Sequence, residues 1–226
     1  MGSESINWDK TVSVQERLKG SAFYEESDVD NRYGKFEGRP IIGRDVPING
    51  GVYLGGNKRE AIVVDDNKYP EEFNKVYEDL LKKRQEDMQK RGKDFKSILD
   101  SVFEITKDGL PYDDKKVEKL TVSYNNDTKV TLNYFIRERA GVCRHQALLG
   151  AYLLERLRKD GYVNGSVSVD RNEVPNVGGH AWIRYTTPNG QIFIIDPAQE
   201  YVGQLDKIGQ WRWFYARPDD LKKLKK

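Results

Sequence analysis

One segment constrains the fold of this chain more than any other, and it runs from Cys143 to Lys159. Its small and apolar residues cover nearly the whole circumference of a helix: Ala147, Leu148, Leu149, Gly150, Ala151, Tyr152, Leu153, Leu154 and Leu157. A helix that is apolar nearly all round lies in the middle of a protein. We therefore predict a central, buried helix that begins at Cys143 and is closed by Gly161.

The segments before this helix have a helical period, and those after it have a period of 2. Residues 70–91 and 95–106 each place apolar side chains on one helical stripe, and a short helix is expected near 113–120 with Asp113 or Asp114 as its cap. Residues 163–169, 180–185 and 191–196 alternate as strands do, and 211–215 suggest one more strand. This order predicts an α+β fold in which the buried helix packs on an antiparallel sheet.

The first 60 residues differ in composition from the remainder. Residues 1–35 are polar and read as a weakly packed arm with room for a short helix. Glycines and prolines crowd residues 34–60, which indicates turns and short strands. We predict an N-terminal arm and Gly/Pro-rich extension, partly disordered, over 1–60, and a catalytic domain over 61–226 that starts with a short buried strand at 61–64.

Charge and cysteine content narrow the classes of function. The chain has 226 residues, with 38 basic against 36 acidic side chains, so no field of one sign draws it to nucleic acid or to an anionic membrane. A single cysteine rules out an internal disulfide. The N-terminal region has no apolar signal segment. We expect a cytoplasmic protein, or one delivered into another cell, without nucleic-acid or membrane partners.

The single cysteine is a candidate nucleophile. Cys143 begins the buried helix, where free backbone N–H groups and the positive end of the helix dipole favour thiolate over thiol. Arg144 adds a positive charge nearby. Judged alone, such a cysteine is more often a small apolar core residue.

The two histidines are the candidates for a base. His145 lies two residues after Cys143 on the same helix, and such side chains do not face each other, so His180 is preferred. The turn at 188–190 folds strand 180–185 back on strand 191–196. A two-residue loop would set residue 199 opposite His180, and a five-residue loop would set Asp196 there. In either register Asp196 lies near His180, where a carboxylate orients an imidazole.

Three sequence blocks carry a family resemblance. Residues 141–147 (GVCRHQA), 180–183 (HAWI) and 195–198 (IDPA) resemble the signature blocks of transglutaminase-like enzymes, which are papain-like thiol proteins with a Cys-His-Asp triad. The resemblance covers about residues 95–203. The block from Cys143 is also similar to the domain that precedes certain plant protein kinases. One departure is that His145 and Gln146 stand where many members carry an acidic or aromatic residue, which leaves the substrate class open.

This resemblance implies a cysteine hydrolase or acyltransferase with Cys143, His180 and Asp196 as catalytic residues. A protein or peptide amide would be the substrate, and the thioester would be resolved by water (peptidase, amidase or deamidase) or by an amine (transglutaminase). We expect no cofactor and no metal, because the Cys-x-His spacing suits zinc poorly. The alternatives are a non-catalytic interaction module that retains the fold, and an injected effector or toxin that modifies a host Gln.

Overall fold

The computed structural model describes residues 5–29, 31–56, 59–90, 96–124, 126–209 and 214–224. The helices in these parts are α1 (Lys10–Leu18), α2 (Pro70–Gln89), α3 (Ile98–Gly109), α4 (Asp114–Thr121), α5 (Leu132–Glu138), α6 (Cys143–Lys159) and α7 (Pro218–Leu224). The strands are β1 (Tyr24–Glu25), β2 (Lys35–Phe36), β3 (Arg39–Pro40), β4 (Val52–Leu54), β5 (Ala61–Val63), β6 (Lys129–Thr131), β7 (Ser166–Val174), β8 (Gly178–Thr186), β9 (Ile192–Asp196) and β10 (Tyr201–Gln204). Helices on an antiparallel sheet confirm the predicted α+β fold.

Helix α6 lies at the centre of the main hydrophobic core, as its apolar circumference predicts. It packs against α3 and α5 and against β7, β8 and β9 of the sheet. Gly150 allows this close packing, because a Cβ atom there would lie only 2.4 Å from Cδ1 of Ile183 in β8 and 2.9 Å from Oγ1 of Thr106 in α3. The predicted start at Cys143 and end at Lys159 are confirmed.

The sheet that covers α6 is antiparallel, with strand order β10-β9-β8-β7. The hairpin between β8 and β9 has a three-residue loop, in which the N–H of Thr187 donates to the carbonyl of Gln191 at 2.9 Å. Gly190 takes the left-handed conformation at φ 84° that such a loop requires. The register therefore lies between the two that the sequence allowed. Strand β10, at the edge of the sheet, was not predicted.

The N-terminal region joins the rest of the chain through a second sheet, with strand order β4-β5-β6. Strand β4 pairs with β5 across the predicted boundary at residue 60, and Ile42, Ile48 and Tyr53 belong to the same core cluster as α6. Helix α1 starts at an Asp9 cap, whose side chain accepts the N–H of Thr11. The division into an extension and a catalytic domain at residue 60 stays a prediction.

The remaining local predictions have mixed outcomes. Helices α2, α3 and α4 lie where the periodicity placed them, and Asp113 caps α4. Helix α5 was missed. The predicted helix stop near residue 92 and the residues 211–213 of the predicted last strand lie outside the described residues, while Tyr215 lies in no strand.

Within the described residues, no helix has both the length and the apolar character needed to cross a membrane.

Candidate active site

The thiol of Cys143 lies at the first residue of α6, beside an open cleft. The backbone N–H of a first helical residue has no partner inside its own helix, so it remains free to donate to a ligand. Cys143 is half-buried and lines a cleft of about 390 Å³ together with His180 and Ala181 from β8. The candidate nucleophile is thus half-buried but still accessible from the cleft.

His180 and Asp196 are brought together by the hairpin register. Ile183 pairs with Ile195, and the same register carried on by one step sets Asp196 beside Trp182, two residues from His180. Diagonal neighbours of this kind are within side-chain reach. The Nε2 atom of His180 lies 2.5 Å from Oδ2 of Asp196, and both side chains are buried. The second ring nitrogen is thereby left for the thiol of Cys143, with which His180 also forms a hydrogen bond.

Asp196 is held by two further donors, neither of which the sequence analysis predicted. The hydroxyl of Tyr215 donates to Oδ2 at 2.7 Å, and the N–H of Gln199 donates to Oδ1 at 3.1 Å. Tyr215 is almost completely buried, with 1% of its surface exposed. Its only sequence signal was the alternating aromatic pattern of residues 211–215, which suggested a strand. A chain segment after the sheet therefore supports the carboxylate.

Aromatic packing fixes the plane of the imidazole. The ring of Trp182 is stacked near that of His180, with centroids 6.0 Å apart and planes at 26°. Tyr215 then meets Trp182 edge to face at 5.1 Å. Because the tyrosine that binds Asp196 also packs on this tryptophan, His180 and its carboxylate are held by one buried aromatic cluster.

The thiol and the imidazole shift each other towards their charged forms. Burial raises the pKa of the Cys143 thiol, but the hydrogen bond and charge of His180, with help from Arg144, bring that pKa below its ordinary value. Burial lowers the pKa of His180, yet its hydrogen bonds to Asp196 and Cys143 raise it to about 9. The geometry therefore favours a thiolate beside an imidazolium at neutral pH.

The other histidine, His145, lies in the first turn of α6, in a cluster with Glu60 and Arg144. Nδ1 of His145 accepts the N–H of Val142 at 3.2 Å, and Nε2 lies 3.3 Å from Oε1 of Glu60. Arg144 donates its Nε–H to the same carboxylate oxygen at 2.8 Å. Sequence reasoning missed Glu60, because one acidic residue before an apolar strand gives no hint of burial.

In this second cluster the pKa values of both the carboxyl and the imidazole are lowered. Burial raises the pKa of Glu60, but the hydrogen bond from His145 and the charge of Arg144 lower it to about 2. Burial and the charge of Arg144 lower the pKa of His145 to about 4. His145 is therefore neutral at pH 7, and it does not line the cleft.

Besides α6 and β8, three further parts of the chain form the walls of the cleft. Tyr53 and Arg59 flank it from the region of β4 and β5, Lys10 reaches it from α1, and Arg171 and Glu173 reach it from β7. Charged side chains thus surround the thiol. In the described parts of the chain, no group of three or more His, Cys, Asp or Glu side chains is arranged to hold a metal ion.

Comparison with known proteins agrees with this arrangement at the level of the family. A family model described as a transglutaminase-like domain matches residues 73–212. That span holds all three predicted site residues and more than half of the chain. Comparison with curated proteins and with solved structures found no significant match.

Proposed function

The chain belongs to the transglutaminase-like domain family, and from that premise we propose that it is a thiol-dependent acyl-transfer enzyme acting on protein or peptide amides. Cys143 is the nucleophile, His180 the acid and base, and Asp196 the residue that orients the imidazole. One observation carries the proposal: a single buried imidazole forms hydrogen bonds to the only thiol of the chain and to a carboxylate, at the wall of an open cleft.

The reaction follows from these positions. The Cys143 thiolate attacks the amide carbonyl carbon, and a C–S bond forms while the oxygen becomes an oxyanion. The free N–H of Cys143 at the helix start is placed to donate to that oxygen. When the intermediate collapses, the C–N bond breaks and the proton of the His180 imidazolium goes to the leaving amine. The product is a thioester on Cys143 and a neutral His180.

The thioester is resolved by a second nucleophile, and we favour water. His180, now neutral, accepts a proton from the water as its oxygen attacks the thioester carbonyl, and the thiolate leaves. Support comes from the cleft walls, where Lys10, Arg59 and Glu173 present charged groups that attract water to the thiol. An amine that reaches the same position would give an amide instead, which is the transglutaminase outcome.

The proposal is tested with small activated esters. Wild-type protein should release a burst of leaving group equal to the number of Cys143 thiols, followed by slow turnover, and Cys143→Ala should give no burst. His180→Ala should slow acylation by about 10²-fold or more, the usual contribution of a general base. Mass spectrometry with and without added amines then separates hydrolysis from transfer.

The matched control is His145→Gln. Glutamine at the third helical position can still accept the N–H of Val142, as in a capping box, so this variant should remain folded and keep most of the burst. Equal losses in both histidine variants, with both folded by circular dichroism, would refute the assignment of His180. No burst across a wide ester panel would favour the non-catalytic interaction module instead.

A further inference from the structure

The cleft beside Cys143 is lined by more positive than negative side chains. Its basic residues are Lys10, Arg59, Arg144 and Arg171, and its one acidic residue is Glu173. Two of the four cations have a carboxylate partner, since Lys10 pairs with Glu173 and Arg144 with the buried Glu60. Arg59 and Arg171 have none among the described residues. The excess positive charge of the cleft therefore comes from these two arginines.

Of the two arginines, Arg171 is the stronger indication of a bound anion, because it is buried. Only 3% of its surface is exposed, and its Nη1 donates to the carbonyl of Leu54 at 2.6 Å. Its guanidinium also lies over the ring of Tyr53, 4.6 Å from the centroid. These contacts fix the group at the cleft wall, yet no carboxylate of the described residues forms an ion pair with it.

Other buried arginines in the described part of the chain are paired differently. Arg184 forms two hydrogen bonds of 2.8 Å with Asp220, and Arg44 lies within 4.0 Å of Asp9 and of Asp170. Burying a cation without an anion is costly, which is why buried charges are usually paired. Arg171 departs from this pattern at the wall of the open cleft, where an incoming ligand could supply an anion.

We propose that Arg171, with Arg59 at the rim of the cleft, binds a carboxylate of the substrate, so that the preferred acyl donor is an acidic peptide. A guanidinium presents a fork of N–H donors that matches a carboxylate. The inference rests on the proposed function for the reaction that follows binding, and it adds the class of substrate. A different role for the same cations would be to stabilise the thiolate alone, and the experiment must separate the two.

Two alkylating reagents of nearly equal size achieve that separation. Iodoacetate and iodoacetamide both form a C–S bond to Cys143 and release iodide, but only iodoacetate carries a carboxylate. Because both reagents react with the same thiolate, the ratio of their rate constants cancels the thiolate fraction and reports the charge preference of the cleft. Cys143 is the only cysteine, so alkylation measures this site alone and requires no turnover.

The ratio of the iodoacetate rate to the iodoacetamide rate should be about 10-fold higher in the folded protein than in the urea-unfolded chain, as expected for a cleft that focuses positive potential. Arg171→Gln and Arg59→Gln should each lower it several-fold, and Arg171→Lys should restore part of it. The matched control is Lys222→Gln, which removes an exposed cation of α7 and should leave the ratio unchanged. Added salt should weaken the preference.

The outcomes distinguish this inference from the proposed function. If activated esters give a burst but the folded and unfolded ratios are equal, the acidic-substrate inference is wrong and the enzyme assignment stands. If the ratio is raised and falls in the arginine variants while no ester gives a burst, anion binding stands and acyl transfer fails. Should Arg171→Gln not fold, an unchanged ratio in Arg59→Gln and at high salt would still overturn the inference.

Discussion

The two histidines of this chain both lie near the start of α6, His145 within the helix and His180 on β8, and their environments look alike at first sight. Each is buried, and each imidazole nitrogen Nε2 faces a carboxylate: Asp196 at 2.5 Å for His180 and Glu60 at 3.3 Å for His145. Their pKa values nevertheless diverge, to about 9 for His180 and about 4 for His145. One ring is therefore charged at neutral pH and the other is not.

Burial lowers the pKa of both imidazoles, and the difference lies in the groups around them: Asp196 and Cys143 raise the pKa of His180, whereas the charge of Arg144 lowers that of His145 further. Glu60 is already paired with Arg144, whose charge opposes protonation of His145. The other donors to Asp196, the Tyr215 hydroxyl and the Gln199 N–H, are uncharged. Among the described residues, His180 is thus the only cation paired with Asp196. An acid–base histidine is distinguished here by a carboxylate that pairs with no other cation in the described part of the chain.

The largest expected effect is the loss of acylation rate when the carboxylate of Asp196 is neutralised. Asp196→Asn should preserve the fold and cut the acylation rate by a factor on the order of 10⁴, by analogy with the serine triad, because asparagine holds the wrong tautomer and cannot support the imidazolium. Burst kinetics with an activated ester measure the rate.

Glu60→Gln is the partner experiment, and its effect should fall on stability. It leaves the cation of Arg144 half-buried without its anion, which should lower the free energy of unfolding by about 3 kcal/mol. Urea unfolding measures that loss, and the acylation rate of the folded fraction should change little. Equal losses of acylation rate in Asp196→Asn and Glu60→Gln would contradict the assignment of a catalytic role to the first cluster and a structural role to the second.

Between pH 6.5 and pH 4, protonation of His145 should lower the free energy of unfolding. Its pKa is 6.5 in the unfolded chain and about 4 in the folded protein, so between these values only the unfolded chain takes up the proton. Stability should therefore fall as the pH drops from 6.5 to 4, by roughly 3 kcal/mol. Urea unfolding of wild type and His145→Gln at several pH values isolates the contribution of His145 to the pH dependence of stability. The other titrating groups are common to both proteins. Parallel curves for the two proteins would show that His145 does not carry the effect.

A smaller effect is expected at the tyrosine that supports Asp196. Tyr215→Phe removes one hydrogen bond to the carboxylate and should lower kcat/KM about tenfold, close to the free energy of a hydrogen bond to a charged group. Tyr77→Phe is matched to it, since Tyr77 is also buried and donates to Asp160 at 2.6 Å near the far end of α6.

Both tyrosine variants should lose similar stability in urea unfolding, and only Tyr215→Phe should lose rate. An equal rate loss in the two variants would mean that Tyr215 acts through general stability and does not position Asp196.

Local patterns predicted much of the fold. The apolar circumference of α6 fixed its place and both its ends, and period 2 found β8 and β9. The sequence predicted a range of registers for the hairpin between β8 and β9, not a single one. The loop length depends on the hydrogen bond between Thr187 and Gln191, which the residue types do not reveal. The predicted site residues Cys143, His180 and Asp196 do lie together.

What the sequence did not reveal depends on contacts between distant segments. Glu60 is 84 residues from its partner Arg144, and Arg171 is 117 residues from the Leu54 carbonyl that fixes it. The segment that carries Tyr215 to Asp196 is held by the ion pairs of Arg217 with Asp170 and of Asp220 with Arg184. No periodicity within a single segment encodes pairings of this range.

The central claim is that Cys143 and His180 form a thiolate–imidazolium pair, and the pH dependence of Cys143 alkylation by iodoacetamide tests it most directly. In wild type the rate should reach a plateau well below the ordinary thiol pKa of about 8.5. His180→Ala should shift the midpoint up, since burial then acts on the thiol without the imidazolium, while His145→Gln should keep the wild-type curve. A single wild-type titration at or above the ordinary thiol value, unchanged in His180→Ala, would contradict the account.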